Sequence, residues 1–576
     1  MFVARIKKEV KGKKYETVLI QESYRENGKP RHRNIANISK LPPDTISLIE
    51  DSLKGNKFIS FDKDFTINKS IQHGNVAAIY GTIKRLELDK MISSTKSRKL
   101  NLVLAMIMDR IISPKSKLAC KRNINNETAV NSINEILNLA TVKVKDLYKA
   151  MDWLFKRQSA IEKKLAKHHL KNGCLVLYDL TSSYMEGRKC ELAKYGYSRD
   201  NKRGKLQIEF GLLCTKDGCP VSVTVFEGNT SDSKTLSSQI QKIRKEFGIK
   251  NVVLVGDRGM ITQKIIDDEL SDIDGLDWIT ALRASSIRKL HEEKSLQLSL
   301  FDKQNLAEIY SPTVPNERLI VCKNPFLADE RANNREKLLV KTEKELSKIK
   351  QAVDRKRNPL TGKDKIALIV GSIINKCKMK KHFNIKITDR RFTYDRNEVS
   401  IRNESQYDGY YVIRTTVKAD ILNTEEVVHA YKGLSKVEQA FKRLKSFDIE
   451  VRPIHHRLDE RVKSHIFICM LAYYVEWHMI DRLKPLLFSE EEVDMSGNPV
   501  MPKDRSARTK MKISKQRTED NLPINSFRTL LNDLSTLCKN YITLSLPAQV
   551  DYCKYTNASE LQQKVFKLLD VNFEKL

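Results

Sequence analysis

The sequence has no long apolar run. The longest, Ile466 to Val475, spans ten residues, well short of the roughly 20 that a membrane-spanning helix needs. Its opening, MFVARIKKEVKGKK, lacks the apolar core of a signal peptide, so export is not expected and a cytoplasmic, nucleoid-associated chain is. Glycine and proline are scarce, 21 and 15 in 576 residues, while 40% of the chain is hydrophobic; bulk disorder is thereby excluded. The ten cysteines include no CxxC pair, and the nearest two, Cys214 and Cys219, are five apart. That spacing gives no zinc ribbon and no dithiol redox motif, so the thiols read as small apolar residues in a reducing compartment. Acidic residues are also in deficit: 72 Asp and Glu against 104 Lys and Arg leave a net charge of +32. An excess of that size repels itself unless a polyanion offsets it, which points to nucleic acid rather than to a membrane.

The periodicity changes several times along the chain. Residues 1–58 alternate apolar and polar around Glu26-Asn27-Gly28-Lys29 and read as a small N-terminal β domain. Residues 59–168 read as a helical DNA-binding region, with Leu102, Leu104, Ala105, Ile107, Met108 and Ile111 as an apolar stripe that Pro114 ends. Residues 169–270 hold strands at Leu175–Leu180, Leu206–Cys214, Val221–Phe226 and Val252–Val255, with a helix from Lys234 to Phe247 before the last. Three strands, a helix and a strand open a ribonuclease H-like α/β core, although other α/β folds share that order. Residues 271–405 read as an inserted subdomain and 406–484 as the second part of the core, with a helix around Thr424–Ser446 and another at Asp459–Leu483. Residues 485–576 read as a linker and a C-terminal helical region.

Two acids stand out against this background. Asp179 lies in Leu175-Val-Leu-Tyr-Asp-Leu180, apolar on both faces, where an ionised carboxylate needs a partner or a metal. Asp257 follows the apolar strand Val252-Val-Leu-Val255, at the carboxyl end where α/β sites gather. Two carboxylates on neighbouring strands suit Mg²⁺, which takes oxygen ligands and keeps places for phosphate and water. A third acid, Glu438, shares a helix face with Tyr431, Leu434, Lys442 and Lys445, at offsets of −7, −4, +4 and +7. Ser435-x-x-Glu438 also fits a capping box started by a break at Gly433, so cap and ligand both stand as readings. Thr181, Ser182 and Arg258 adjoin the aspartates and could orient water or phosphate, while Glu186, Glu209, Glu227 and Asp232 read as surface acids. Tyr195, Tyr197, Arg199, Lys202, Arg203 and Lys205 have the composition of a strand-gripping loop. The pair His455-His456 lacks supporting ligand spacing, and adjacent side chains diverge, so it does not read as a metal site.

Taken together these segments resemble the bacterial insertion-sequence DDE transposases that carry a Tyr-(2)-Arg-(3)-Glu-(6)-Lys signature. Tyr431, Glu438 and Lys445 fall at that spacing, with Leu434 where the signature has Arg. LVLYDLTSSY, VFEGNTSD, VGDRGM, SYRENGK, IISPKSKLA and RPIHHRLDERVKSHIF extend the likeness over most of residues 1–480. The resemblance implies a ribonuclease H-like catalytic core with a β-rich insertion, and Asp179, Asp257 and Glu438 as catalytic residues. These would hold two Mg²⁺ ions, which Mn²⁺ can replace. Tyr431, Lys442, Lys445 and Arg258 would contact DNA. It further implies cleavage at element ends, strand transfer into target DNA, double-stranded DNA as partner and a homo-oligomer assembled on it. A metal nuclease of the same fold, or an inactive DNA-binding relic, is the alternative.

Overall fold

A computed structural model of the chain describes all residues except 11, 57–64, 126, 294–295, 297–304, 447, 490–497, 502–504 and 546–548. Parts of the expected N-terminal domain, insertion and linker therefore lie outside the described residues. The described chain divides into two compact units, residues 1–72 with 537–557 and residues 73–536 with 558–576. Strands are numbered β1 to β16 in chain order.

In the first unit β1 (Phe2–Val10), β2 (Lys13–Glu26) and β3 (Lys29–Asn37) form an antiparallel sheet. Asn27 and Gly28 both have positive φ, 49° and 76°, the left-handed pair that a two-residue hairpin with matching twist requires. Val18 and Ile38 pack on Ile46 of the helix Pro43–Leu53, and this is the small core of the sheet. A second sheet joins β4 (Phe65–Gln72) to β15 (Cys538–Ser545) and β16 (Gln549–Tyr555), in the order β16-β15-β4. These strands correct two expectations: residues 59–168 are not helical throughout, and 485–576 are not only linker and helix. Phe65, Ile67 and Ile71 alternate with polar residues at the strand period, and their partner strand lies far away in sequence: Asn68 donates to Thr543 Oγ1 at 2.6 Å.

The second unit is built on an eight-stranded mixed sheet. Its strands are β5 (Cys174–Tyr184), β6 (Gln207–Thr215), β7 (Pro220–Glu227), β8 (Val252–Val255), β9 (Leu276–Ala281), β10 (Leu306–Ile309), β11 (Arg318–Lys323) and β14 (Tyr410–Thr415), in the order β10-β11-β14-β9-β8-β5-β6-β7. β5 pairs antiparallel with β6 and parallel with β8, and β8 pairs parallel with β9. The step from β7 to β8 is crossed by the helix Asp232–Gln241. β6 and β8 are buried along nearly their whole length, as near-continuous apolar strands must be. The helix Asp459–Leu483 packs on β7 and on the helices Arg98–Ile112 and Val144–Phe155, whose apolar faces it covers. Among the described residues no helix is long and apolar enough to cross a membrane.

The insertion is helix-rich, not β-rich. β10 and β11 extend the main sheet, but the rest is dominated by helices Pro325–Asp354 and Lys363–Cys377, of 30 and 15 residues. They close over the hairpin β12 (Phe383–Ile387) and β13 (Phe392–Arg396) around Leu339, Leu346, Ile366, Val370 and Phe392. Residues 326–354 hold no Gly or Pro and many Lys, Glu, Ala and Leu, which favour helix over strand.

Candidate active site

The pairing of β5 with β8 sets Leu177 opposite Val255. Asp179, still inside β5, lies two residues beyond Leu177, and Asp257, just past the end of β8, lies two beyond Val255, so both acids stand at one level on neighbouring parallel strands. Strand spacing separates the paired backbones of Leu177 and Val255, just before the acids, by about 4.8 Å. Asp257 is pinned: its Oδ1 accepts from the backbone N–H of Gly259 and of Met260, each at 2.9 Å. Asp179 accepts from the N–H of Leu180 at 2.7 Å and is largely withdrawn from water. Burial pushes its carboxyl up to about 7, and the negative charges of Asp257 and Glu438 push in the same direction. All three acids thus share one electrostatic neighbourhood.

Glu438 reaches it from the helix Leu434–Lys445, which follows β14 and the helix Thr424–Lys432. The capping-box reading fails here. Gly433 keeps helical angles (φ −55°, ψ −23°), so Ser435 begins no helix, and its hydroxyl donates instead to the carbonyl of Lys432 at 2.8 Å. The exposed carboxylate of Glu438 makes no hydrogen bond or ion pair among the described residues. Together with Asp257, Arg258, Tyr431, Arg288 and Arg331 it lines a cleft of about 740 Å³, so acids and guanidinium groups share one opening. The insertion supplies Arg288 and Arg331 to the wall of this cleft, and Tyr407 follows just after it.

Several neighbours of Asp179 were not legible as such. Glu209 is buried, not a surface acid, and its carboxyl is pushed up to about 7 by that burial. Arg199 forms ion pairs with Glu209 and with Asp232, the latter at 2.7 Å, and its charge also acts on Asp179. Its backbone N–H donates to Ser182 Oγ at 2.8 Å. The loop read as strand-gripping therefore sends one arginine inward while Tyr195 and Tyr197 stay 70% and 79% exposed. Gly228 of the VFEGNTSD segment lies against this loop and the start of β6: a Cβ on Gly196 would fall 2.0 Å from the Gly228 carbonyl oxygen, and one on Gly228 1.8 Å from that of Gln207. His456 packs edge-on to Tyr148 and against His465.

A family model described as a transposase DDE domain matches residues 171–475, more than half of the chain and all three acids. The chain belongs to the DDE transposases. A second model, the IS1634 family transposase N-terminal domain, matches residues 3–60, which makes it an insertion-sequence transposase. No curated protein matches the chain. Among solved structures, a cryo-EM structure of the piggyBac transposase synaptic complex with hairpin DNA covers 79% of this chain and 91% of its own. Its identity is 10% and its TM-score 0.26, too weak a likeness to argue from.

DDE transposases use divalent metal ions, and the donor set fits one. The charges of Asp257 and Glu438 both act on Asp179, yet the cation nearest to it in effect, Arg199, is already shared by Glu209 and Asp232. Hard oxygen donors with uncompensated charge are what such ions select. The cations on the Glu438 helix divide into two kinds. Lys442 is exposed, whereas Lys445 is mostly buried, donating to Thr181 Oγ1 at 2.6 Å and to Asp200 at 3.0 Å. Arg452 grips the other oxygen of Asp200 at 2.6 Å. Leu434, at the signature Arg position, is turned into the core, and Lys436 leans away to donate to the carbonyl of Lys216. Lys445→Ala is therefore expected to cost about 2 kcal/mol of stability by uncovering a buried carboxylate. Lys442→Ala should change stability by less than about 0.5 kcal/mol. Denaturant unfolding of the two variants measures this difference.

Proposed function

We propose that this transposase cuts at the ends of its insertion sequence and joins the freed 3′ ends to target DNA. In this reading Asp179, Asp257 and Glu438 are the catalytic carboxylates, set in a ribonuclease H-like core, and they hold two Mg²⁺ ions. The supporting observation is the shared level of the two aspartates on adjacent parallel strands, with Glu438, unpaired among the described residues, lining the same cleft as Asp257. The strand order β7-β6-β5-β8-β9, with β5 between an antiparallel and a parallel neighbour, supports the ribonuclease H-like assignment. When bound, the two ions would neutralise the scissile phosphate and favour both the entering and the leaving oxygen. The protein's own groups position the DNA. Arg258 and Lys442 neutralise phosphates beside the acids, in place of the signature arginine that Leu434 lacks. Tyr431, whose hydroxyl burial pushes up to about 12, stays a neutral donor at the cleft. Lys445 completes the signature spacing with Tyr431 and Glu438, and its clamp on Thr181 and Asp200 braces the strand that carries Asp179. The enzyme would act as a homo-oligomer on double-stranded DNA in the bacterial cytoplasm.

Joining separates this reading from a nuclease of the same fold. Cleavage needs only an activated water, whereas transfer needs the cut end retained and a target strand delivered to the same acids. Purified protein with Mg²⁺ and a fragment carrying the inverted repeats that flank its gene should yield strand-transfer products. Complete cleavage with no joined product, in Mg²⁺ and in Mn²⁺, would establish the nuclease; DNA binding without cleavage would establish the relic.

A further inference from the structure

Three side chains that the transposition chemistry leaves unused meet in the second unit. His169 ends the helix Gln158–His169, Cys219 sits in the turn between β6 and β7, and His478 lies in the last turns of Asp459–Leu483. One ligand-capable atom of each lies within 4.8 Å of the other two. Cys219 Sγ and His478 Nε2 are 3.8 Å apart. Ligands on a tetrahedral Zn²⁺, with Zn–S near 2.3 Å and Zn–N near 2.0–2.1 Å, stand about 3.6 Å apart, so the thiol and ring need move little. The rings of His169 and His478 stack with centroids 5.5 Å apart, and His169 Nε2 is bonded to the Tyr474 hydroxyl at 2.8 Å. Such an outer hydrogen bond fixes a ligand ring's orientation. Cys219 is buried and both rings are half-buried, so an ion can enter and still be largely dehydrated.

We propose that His169, Cys219 and His478 form a structural site for one Zn²⁺ or a similar borderline-soft transition-metal ion, with a fourth position for water. Two imidazoles and a thiolate select such a metal and disfavour Mg²⁺, so the chain would hold two metal classes at chemically distinct places. On binding, the Cys219 S–H bond breaks, the sulfur's electron pair goes to the metal and the proton goes to solvent. Arg85 and Asp481 are the charged neighbours of His478, with the His168 and His169 rings beside it, and Asp217 and Asp481 face Cys219. The site would tie three segments around the catalytic strand. His169 stands ten residues before Asp179, and Cys219 ends the turn from β6, whose Leu212 pairs with Asp179.

Full-length protein stripped with a chelator and titrated with Co²⁺ tests this. One equivalent should bind with a sulfur-to-cobalt charge-transfer band and tetrahedral visible bands, displaced by Zn²⁺, and Zn²⁺ should raise the melting temperature. The carboxylate site has no sulfur and cannot produce that band, so the result is independent of the catalytic proposal. Cys219→Ser should abolish the band and the zinc-dependent melting shift. His478→Gln, which keeps the thiol, should weaken Zn²⁺ binding by about tenfold or more. Co²⁺ binding without the band, a band that survives Cys219→Ser, or unchanged affinity in His478→Gln overturns the site. If the serine variant does not fold, the glutamine variant decides alone.

Discussion

Replacing Asp179, Asp257 or Glu438 by alanine is expected to lower metal-dependent cleavage at least about a thousandfold, equivalent to about 4 kcal/mol of transition-state stabilisation. DNA-end binding and overall folding should persist, because no other element depends on Glu438 for a hydrogen bond or ion pair among the described residues. The three variants should differ in stability. Asp179 carries a carboxyl raised to about 7, against an ordinary value near 4. The folded state thus binds this proton more tightly than the unfolded chain does. Below pH 4 the group is neutral in both states and costs nothing. As pH rises from 4 through 7 the cost of ionising it grows, and above 7 it is fully present. Without metal, Asp179→Asn should therefore be more stable than the parent at pH 8 and equal to it near pH 4. The gain at pH 8 should be a few kcal/mol, because each tenfold difference in proton affinity between the folded and unfolded states is worth about 1.4 kcal/mol. Added Mg²⁺ should stabilise the parent and not the variant. Unfolding curves at the two pH values, with and without Mg²⁺, measure this. A parent already as stable as Asp179→Asn at pH 8 without metal would mean that burial and the neighbouring acids do not raise the Asp179 carboxyl. Near-normal cleavage by Glu438→Ala would remove that residue from the site.

How much of this was legible depended on the range of the interactions involved. The strand Val252–Val255 and the helix Asp459–Leu483 stand where the pattern places them, because an apolar run with polar ends carries its own boundaries. Asn27-Gly28 fixed a hairpin for an equally local reason. β4 stayed hidden because it is short and half-polar, and its partner β15 is hundreds of residues away. β9, Leu276–Ala281, is brief and starts from a Gly275 turn within a polar stretch, so nothing local marks it as central to the sheet. The same distinction runs through the site. Asp179 and Asp257 announce themselves as acids in apolar strands, but the Arg199–Glu209–Asp232 network exists only once a loop folds back over β6. Ser435-x-x-Glu438 matched a capping pattern, yet a cap needs a helix start with free N–H groups, and the helical turn at Gly433 leaves none there. His169, Cys219 and His478 had no ligand spacing to notice, since three separate elements deliver them.

The net charge of +32 should appear as a steep salt dependence. If about six phosphates are neutralised, DNA affinity should fall roughly 10³-fold between about 50 and 200 mM salt through counterion release. The structure sorts which cations contribute. Arg258, Lys442 and the lysines at 376, 378 and 380 are exposed and able to meet phosphate, whereas Lys445 and Arg452 are committed to Asp200. Each lost phosphate contact lowers the slope of log affinity against log salt by about one. Lys442→Ala and Arg258→Ala should each do so, uniformly across DNA sequences. Lys445→Ala should leave the slope unchanged while weakening cleavage, because the buried ammonium neutralises a carboxylate of its own chain rather than a phosphate. Binding titrations of the three variants over that salt range measure all of this. A slope reduced equally by Lys445→Ala would show that DNA draws the ammonium away from Asp200. A flat response of the parent would mean that the excess charge does not serve nucleic acid.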